Sequence, residues 1–509
     1  MEVLTHTVDL QCQGCTLQHQ QYTRIAGEVA VPVGGVSRVL EVSGLLSCEQ
    51  VDLGTDTAEV AGTARLTVVY CDDESQVQSL HVQCGWSHRC ELPGASPRMK
   101  GRCVGVLQEA GARVSAMGLS IEGVAGLTLA CWETQTHAAV TALADEGEGI
   151  FCQDTSLQIF RELGFASAQR TIAGDASLPS GLPDIARVLC ATPCLRILEQ
   201  HPISGKVFCR GECDVALMYA DATGKPTLAE LTFAFDAALD LDGCEVPGAR
   251  IDAAWITESL EIIPEADGTG ALRFVRMACG CRVFTQAAKP EMVTLLQDAY
   301  SASHELALER TDICLAEAPR ELSAPQTLAT AITLPEGAPP LSGICAVVCQ
   351  PRTIDAEAEQ GSVTVTGSCT CTVYYHSVGE AGVFCVSGEL PVMATIADPA
   401  ITPGVTQVKA CLGTCQAIAT APFEIECRAN LALTVTTQSQ RTVAIVTTAQ
   451  AADERPSGGC CCLYFVQPGD TAWEIGRRYG LSPQALAELN PDLGETLALG
   501  QRMTLYKAL

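Results

Sequence analysis

Closely spaced cysteine and histidine side chains raise the possibility of a metal site in this chain. The 509 residues include 28 cysteines and 8 histidines. One group of such residues lies in the segment HVQCGWSHRC, namely His81, Cys84, His88 and Cys90. A second group is the CxxC pair of Cys12 and Cys15. Structural zinc sites commonly combine two pairs at a fixed spacing, and no second CxxC follows here. Neither group recurs in the chain, so we expect ordinary thiols, no bound metal and no cofactor.

Motifs of the common catalytic classes are missing from the sequence. It has no G-x-S-x-G nucleophile elbow, no phosphate-binding P-loop and no H-E-x-x-H metalloprotease pair. We therefore expect a protein that is not an enzyme and has no catalytic residues.

Charge and hydropathy exclude two further classes of function. With 59 acidic and 31 basic residues, the formal net charge is −28, which opposes binding to nucleic acid. The N-terminal segment has no basic and apolar export signal, and no apolar run is long enough to insert into a membrane. We expect a cytoplasmic protein whose cysteines are mostly reduced.

Three similar segments indicate an internal repeat. The sequence VAGTARLTVVY at 60–70 returns as CRGECDVALMY at 209–219 and as VTGSCTCTVYY at 365–375. These segments end at Tyr70, Tyr219 and Tyr375. Flanking similarities keep the same order, so we predict three copies of one domain at 1–146, 147–294 and 295–450.

Within each copy, apolar and polar residues alternate over short runs that are bounded by Gly, Pro and Asp. This period of two predicts a mainly β protein with three tandem β-sandwich-like repeats. Because a period near 150 residues is too long for a solenoid, we expect separate beads, each with its own core. Residues 290–301 could form a short helical connector, and exposed sheet edges could support self-association.

A polar segment, AADERPSGGCC at 451–461, predicts a linker after the third copy. Three adjacent thiols, Cys460, Cys461 and Cys462, lie at its end. They could form intermolecular disulfides after the cell lyses, or they could simply reflect the high cysteine content of the chain.

Residues 462–509 predict a compact β-α-α-β domain with its own core. A short strand ends at Pro468 and Gly469, and Asp470 stands where an N-cap would begin a helix at Thr471. Gly480 marks the end of that helix. A second helix follows, and residues 502–506 form a closing strand.

The C-terminal segments VQPGDTAWEI, YGLSPQALAELNP and LALGQRMTLY resemble the LysM domain. Gly476 stands where typical members have alanine, which is expected to loosen the first helix by about 0.5 to 1 kcal/mol. Members of this family commonly bind N-acetylglucosamine-containing glycans in a shallow groove. The resemblance places that groove between two loops of this chain, formed by Gly469, Asp470, Thr471 and Trp473 on one side and Asn490, Pro491, Asp492 and Leu493 on the other. Asp470 and Trp473 could instead serve only as a cap and as a core residue.

The three upstream copies resemble the SPOCS domain of spore-forming Firmicutes, most clearly in GLPDIARVL, ISGKVFCRGECDVALMY and LLQDAYS. SPOCS copies followed by one LysM domain are similar to a family of spore coat morphogenetic proteins. The resemblance implies a scaffold in the mother-cell cytoplasm, at the forespore surface or spore coat, whose LysM domain docks an ATPase-type coat protein. The alternative is binding of peptidoglycan or chitin-type glycan at the cell wall or spore cortex.

Overall fold

The computed structural model describes residues 4–14, 16–31, 34–115, 118–144, 149–455, 459–492, 494 and 496–508. Within these ranges almost all regular structure is β-strand, and two short helices lie near the C-terminal end. The predicted mainly β fold class is confirmed. No helix in these ranges is long and apolar enough to cross a membrane.

The first repeat contains the strands β1 (Leu4–Gln13), β2 (Leu17–Val29), β3 (Arg38–Leu53), β4 (Thr57–Cys71), β5 (Val77–Glu91), β6 (Lys100–Ser115), β7 (Gly118–Trp132) and β8 (Thr134–Ala144). Two antiparallel sheets, with the orders β3-β4-β5 and β2-β7-β6, form a sandwich. Alternate side chains of these strands meet between the sheets, among them Ile25, Leu66 and Leu127.

The second repeat contains β9 (Ile150–Ser177), β10 (Arg187–Ile203), β11 (Lys206–Ala220), β12 (Pro226–Asp240), β13 (Arg250–Ala266) and β14 (Leu272–Ser301). Its sheets have the orders β10-β11-β12 and β13-β14-β9, which is the arrangement of the first repeat. Strands β9 and β14 are long because each continues from the sandwich into a second pairing region beyond it.

The third repeat contains β15 (His304–Ala316), β16 (Arg320–Thr333), β17 (Leu341–Glu359), β18 (Ser362–Ser377), β19 (Val383–Ala397), β20 (Gly404–Ala421) and β21 (Glu424–Glu454). Strands β17, β18 and β19 form one side of the sandwich, and β16, β21 and β20 form the other. The strand order of the first two repeats is therefore found a third time.

The residue that precedes the repeated tyrosine in each segment contributes to the contact between the three repeats. Tyr219 and Tyr375 are buried in the cores of their own sandwiches. Successive side chains of a strand point to opposite faces. The residues just before the three tyrosines, Val69, Met218 and Tyr374, therefore point outward from their sandwiches, and they meet in one cluster at the junction of all three repeats.

A second shared region is a stem formed by the terminal strands of each repeat. It consists of the pair β1 and β8, the start of β9 with the end of β14, and β15 with the end of β21. Its apolar interior combines residues of all three repeats, including Leu10, Leu157, Leu295, Ile313 and Ile445. The expectation of separate beads is wrong, because each sandwich has its own core but all three also share these clusters.

Polar contacts and one disulfide also join the repeats. Ser79 Oγ donates to the Val188 carbonyl at 3.0 Å, and Arg352 Nη1 donates to the Leu107 carbonyl at 2.9 Å. A disulfide joins Cys194 to Cys411, which links the second repeat to the third. Each repeat thus contacts both others, and the three form a closed arrangement.

Three sequence-based assignments differ from the structure. Residues 290–301 are not a helical connector, because they form the end of β14 and pair with β9. The boundary at 294/295 lies inside that strand, and the structural division falls between Ser301 and His304. The linker predicted at 451–461 overlaps two strands, because residues 451–454 extend β21 and residues 459–461 begin the next strand.

One glycine recurs eight residues before each repeated tyrosine, at Gly62, Gly211 and Gly367. The neighbouring strand is bulged close to each glycine. A Cβ atom at Gly62 would lie 1.9 Å from the carbonyl oxygen of Ser47. These positions therefore accept only glycine without movement of the backbone.

Candidate functional site

The C-terminal module has the predicted β-α-α-β order. It consists of β22 (Gly459–Phe465), α1 (Ala472–Tyr479), α2 (Pro483–Leu489) and β23 (Arg502–Ala508). Strands β22 and β23 pair in antiparallel fashion. A compact core forms between this sheet and the helices, with Val466, Ile475, Leu486, Met503 and Leu505 buried in it.

The first helix begins one residue later than predicted, because Thr471 rather than Asp470 is its N-cap. The Thr471 hydroxyl accepts from the Glu474 amide at 3.1 Å, and the Glu474 carboxylate accepts from the Thr471 amide at 3.1 Å. These two bonds form a capping box. Gly480 ends the helix with φ 66°, in the left-handed region expected for this position.

Asp470 instead holds the turn that precedes the helix. Its carboxylate accepts hydrogen bonds from the Tyr464 hydroxyl and, at 2.8 Å, from the Gln467 amide. These bonds and the nearby Arg478 keep the pKa of Asp470 below its ordinary value. The side chain is 6% exposed and has a structural role in the loop.

Asn490 has a similar structural role at the end of the second helix. Its Nδ2 donates to the carbonyl oxygens of Leu486 and Thr504, both at 2.9 Å. Its Oδ1 accepts from the Thr504 amide at 2.7 Å. The amide group therefore joins α2 to β23, and these three bonds occupy the polar atoms that a ligand would otherwise contact.

Trp473 is directed toward the second repeat. Its Nε1 donates to Asp298 Oδ2 at 2.8 Å. Its ring lies edge-on against the ring of Tyr300, with centroids 4.8 Å apart. The half-buried indole thus belongs to a contact inside the chain, and its polar atom already has a partner.

Four of the eight predicted groove residues are exposed: Gly469, Thr471, Pro491 and Asp492. Leu493 lies outside the described residues. Since Asp470, Asn490 and Trp473 are engaged within the chain, the exposed loop residues are the part of the candidate groove that a partner can reach.

Three residues at this contact could not be identified from the sequence alone: Asp298, Tyr300 and Arg455. Asp298 also accepts from Arg310 Nη2 at 3.1 Å and from Arg477 Nη1 at 2.9 Å. Burial raises the pKa of Tyr300 to about 12, so its hydroxyl stays protonated and donates to the Leu481 carbonyl. The one sequence signal for this contact was Gly476, a glycine inside a helix, which the sequence alone explained only as a residue that weakens the helix.

The alternation of β5 separates one candidate metal residue, His81, from the other three, Cys84, His88 and Cys90. Cys84 is buried, His81 is exposed, and these two residues point to opposite faces of the strand. The His81 ring is hydrogen-bonded to the Thr67 hydroxyl at 3.1 Å. Cys15, the partner of Cys12 in the CxxC pair, lies outside the described residues. In the part of the chain that the structure describes, no group of three or more potential ligands is arranged to hold a metal.

The three adjacent cysteines belong to β22 rather than to a linker. Cys461 is exposed, whereas Cys462 is half-buried and packs against the core of the module. The side chain of Cys460 lies outside the described residues. Successive strand residues point to opposite faces, which directs neighbouring thiols away from each other.

Comparison with family models matches residues 464–505 to the LysM domain. The same comparison matches residues 35–114 to the SipL, SPOCS domain. The LysM match covers the C-terminal module from β22 to β23, and the SPOCS match covers the region of β3 to β6 in the first repeat. Both domain types predicted from the sequence are confirmed. Searches of curated proteins and of solved structures found no significant match.

Proposed function

From the presence of a SPOCS domain and a C-terminal LysM domain in one chain, we propose that this protein is a non-enzymatic scaffold or adaptor in spore coat assembly. The two domain types are binding or adaptor modules, and they indicate a sporulation-related protein with a glycan-binding type of module. In our proposal the LysM domain docks an ATPase-type coat morphogenetic protein. The site of action is the mother-cell side of the forespore surface.

The division of the chain into three SPOCS copies is part of this proposal. The family model matches only the first repeat. The second and third repeats have the same strand order and the same glycine before the repeated tyrosine. We therefore treat all three as SPOCS domains, and their closed arrangement as the rigid body of the scaffold.

The pairing of the two domain types is the observation that carries the proposal. The geometry of the module supports it further, because several predicted groove residues are used for structure. Asp470 and Asn490 have intramolecular partners for their polar atoms, and Trp473 contacts Asp298. What remains exposed is a pair of short loops, which suits docking of a protein surface better than enclosure of a sugar ring.

The second candidate function is binding of peptidoglycan or another N-acetylglucosamine-containing glycan. It is favoured by the LysM match itself, since this domain type commonly binds such glycans. The exposed loop residues Thr471 and Asp492 carry hydroxyl and carboxylate groups that could hydrogen-bond to a sugar.

A charge reversal in the exposed loops tests the proposal without disturbing the core of the module. Asp492→Arg in the full chain, fused to a fluorescent protein, is expected to reduce recruitment to the forespore during sporulation. Glu488→Arg is the matched control, because it makes the same charge change at an exposed position on α2. Recruitment of the control should equal that of the unmodified chain.

Calorimetry of the full chain with a chitin-type oligosaccharide distinguishes the two functions. The scaffold proposal predicts weak or undetectable glycan binding together with loss of recruitment in Asp492→Arg. Tight glycan binding that Asp492→Arg abolishes, with recruitment unchanged, would instead establish the glycan-binding function. Equal recruitment of both variants would contradict docking through these loops.

A further inference from the structure

Two side chains on one face of helix α1 converge on a single carboxylate of the second repeat. Trp473 and Arg477 are four residues apart and so lie on the same side of the helix. Their nitrogen atoms lie 2.8 and 2.9 Å from the same oxygen, Asp298 Oδ2. Asp298 is only 13% exposed, and Arg310 binds its other oxygen at 3.1 Å. A largely buried carboxylate that accepts from three donors is a specific and directional contact.

Tyr300 approaches the helix so closely that a side chain at Gly476 has no room. Its hydroxyl donates to the carbonyl of Leu481, just beyond the helix, at 2.8 Å. A Cβ atom at Gly476 would lie 2.6 Å from that hydroxyl oxygen. Glycine inside a helix costs about 1 kcal/mol relative to alanine. The contact with Tyr300 gives this unfavourable residue a physical reason.

Arg455 fixes the C-terminal end of the same helix. Its Nη2 donates to the Arg477 carbonyl at 3.0 Å, and its Nε donates to the His304 carbonyl at 3.2 Å. A cation is favourable at this end of a helix, where backbone carbonyls lack intrahelical partners. The arginine thus joins the module to the first residue of β15.

Among the residues that the structure describes at the end of the stem, only those of the second repeat offer this combination. Tyr300 is the second-last residue of β14, and the equivalent residues of β8 and β21 are Leu143 and Asp453. Asp298 is the fourth-last residue of β14, where β8 has Thr141 and β21 has Ala451. The contact is therefore built into one repeat and is not a general property of the fold.

We propose that the end of the stem is a binding site for helix α1, and that it holds the LysM module in one fixed orientation. Trp473 is the anchor of this internal interface rather than a residue that contacts a partner. Gly469, Thr471, Pro491 and Asp492 stay exposed while α1 is bound. The binding site itself is independent of the proposed function, whereas the assignment of partner contacts to these loops rests on it.

Hydrogen exchange of Gly476→Ala in the full chain tests whether the module is bound to the stem or is only connected to it by the chain. In an undocked module the new methyl group would meet only the Leu481 carbonyl, at 3.1 Å, so the helix propensity of alanine should leave amide hydrogen exchange in residues 472–481 unchanged or slower. In the docked arrangement the new methyl group meets the Tyr300 hydroxyl, and exchange is expected to become about tenfold faster there and in residues 291–301. Tyr300→Phe in the same chain removes the obstructing oxygen and should restore part of the protection.

Asp298→Asn provides a second measurement, because it leaves the core of the module unchanged. It should also accelerate exchange in residues 472–481, whereas Asp453→Asn, at an exposed position on the same end of the stem, should have no effect. Unchanged or slower exchange in Gly476→Ala, or unchanged exchange in Asp298→Asn, would overturn the proposal. Recruitment of Asp492→Arg is measured separately, so failure of docking and failure of the proposed function are distinguishable.

Discussion

Replacing Cys194 with serine is expected to destabilise the oxidised protein and to leave the reduced protein nearly unchanged. The disulfide joins Cys194 on β10 to Cys411 on β20, and these cysteines are 217 residues apart. The Cα atoms are 6.0 Å apart, which lies within the range that a disulfide can bridge. Removing the bond restores conformational freedom to a long segment of the unfolded chain.

The magnitude follows from the length of the closed loop. In the chain-entropy description, a loop of this size contributes about 5 kcal/mol to the free energy of unfolding at 25 °C. If the three repeats unfold as one unit, their unfolding entropy is roughly 1 kcal/mol per kelvin. The midpoint of thermal unfolding should then fall by about 5 °C.

Differential scanning calorimetry of the full chain in oxidised and in reduced glutathione measures this shift. Because Cys314 is also disulfide-bonded, the variant is compared with the unmodified chain under each condition separately. Cys152→Ser is the matched control, since Cys152 is an exposed free thiol in the same repeat. Equal midpoints of Cys194→Ser and the unmodified chain in oxidised glutathione would refute the reasoning.

Three further substitutions test other parts of the structure. Burial at the junction of the repeats raises the pKa of Glu41 above its ordinary value of 4.5, although the Tyr374 hydroxyl donates to it. The folded state therefore binds this proton more tightly than the unfolded state does. The free energy of unfolding should then fall as the pH rises from 4.5 through the folded-state pKa. In urea denaturation, the free energy of unfolding of Glu41→Gln should depend less on pH. Gly62→Ala should lower the free energy of unfolding by about 3 kcal/mol, because its Cβ atom would collide with the Ser47 carbonyl. Gly85→Ala is the control: a Cβ atom there meets no atom within 4 Å, so the free energy of unfolding should hardly change in the same assay. Asn490→Ala should cost the module about 2 to 3 kcal/mol by leaving backbone groups of β23 without partners. Exchange at Thr504 would then become faster, and an unchanged rate there would contradict the structural role of Asn490.

The LysM module was predictable because its signals are local. The cap at Ser482, the first-turn Pro483 and the stop at Gly480 act over three or four residues, and each has the role that its residue type predicts. The assignment of Asp470 was wrong because two neighbouring residues, Asp470 and Thr471, are both good N-caps. Only the hydrogen bonds show that Asp470 is used by the preceding turn.

The closed arrangement of the repeats was not predictable from alternation alone. A period of two indicates one buried face, and the second face of β4, β11 and β18 is assumed to be exposed. A sequence signal for the shared junction nevertheless exists in the runs VVY, LMY and VYY, where consecutive apolar residues indicate burial on both faces. Which surfaces then meet depends on contacts between residues more than 100 positions apart, and a single sequence does not specify them.

The contact between Trp473 and Asp298 was beyond sequence reasoning for the same reason, since these residues are 175 positions apart. An aromatic residue near a predicted groove is naturally assigned to that groove. The glycine at 476 marked a close approach of another group, but it could not identify that group as Tyr300.

Fusion of three repeats in one chain has a consequence for valency. A homotrimer with the same closed body would present three LysM modules, whereas this chain presents one. Asp298 and Tyr300 each occur once at the end of the stem, and together they bind the one LysM module there. Under the proposed function, the LysM module of each chain engages one partner through one set of exposed loops, whereas three modules on one body would engage three.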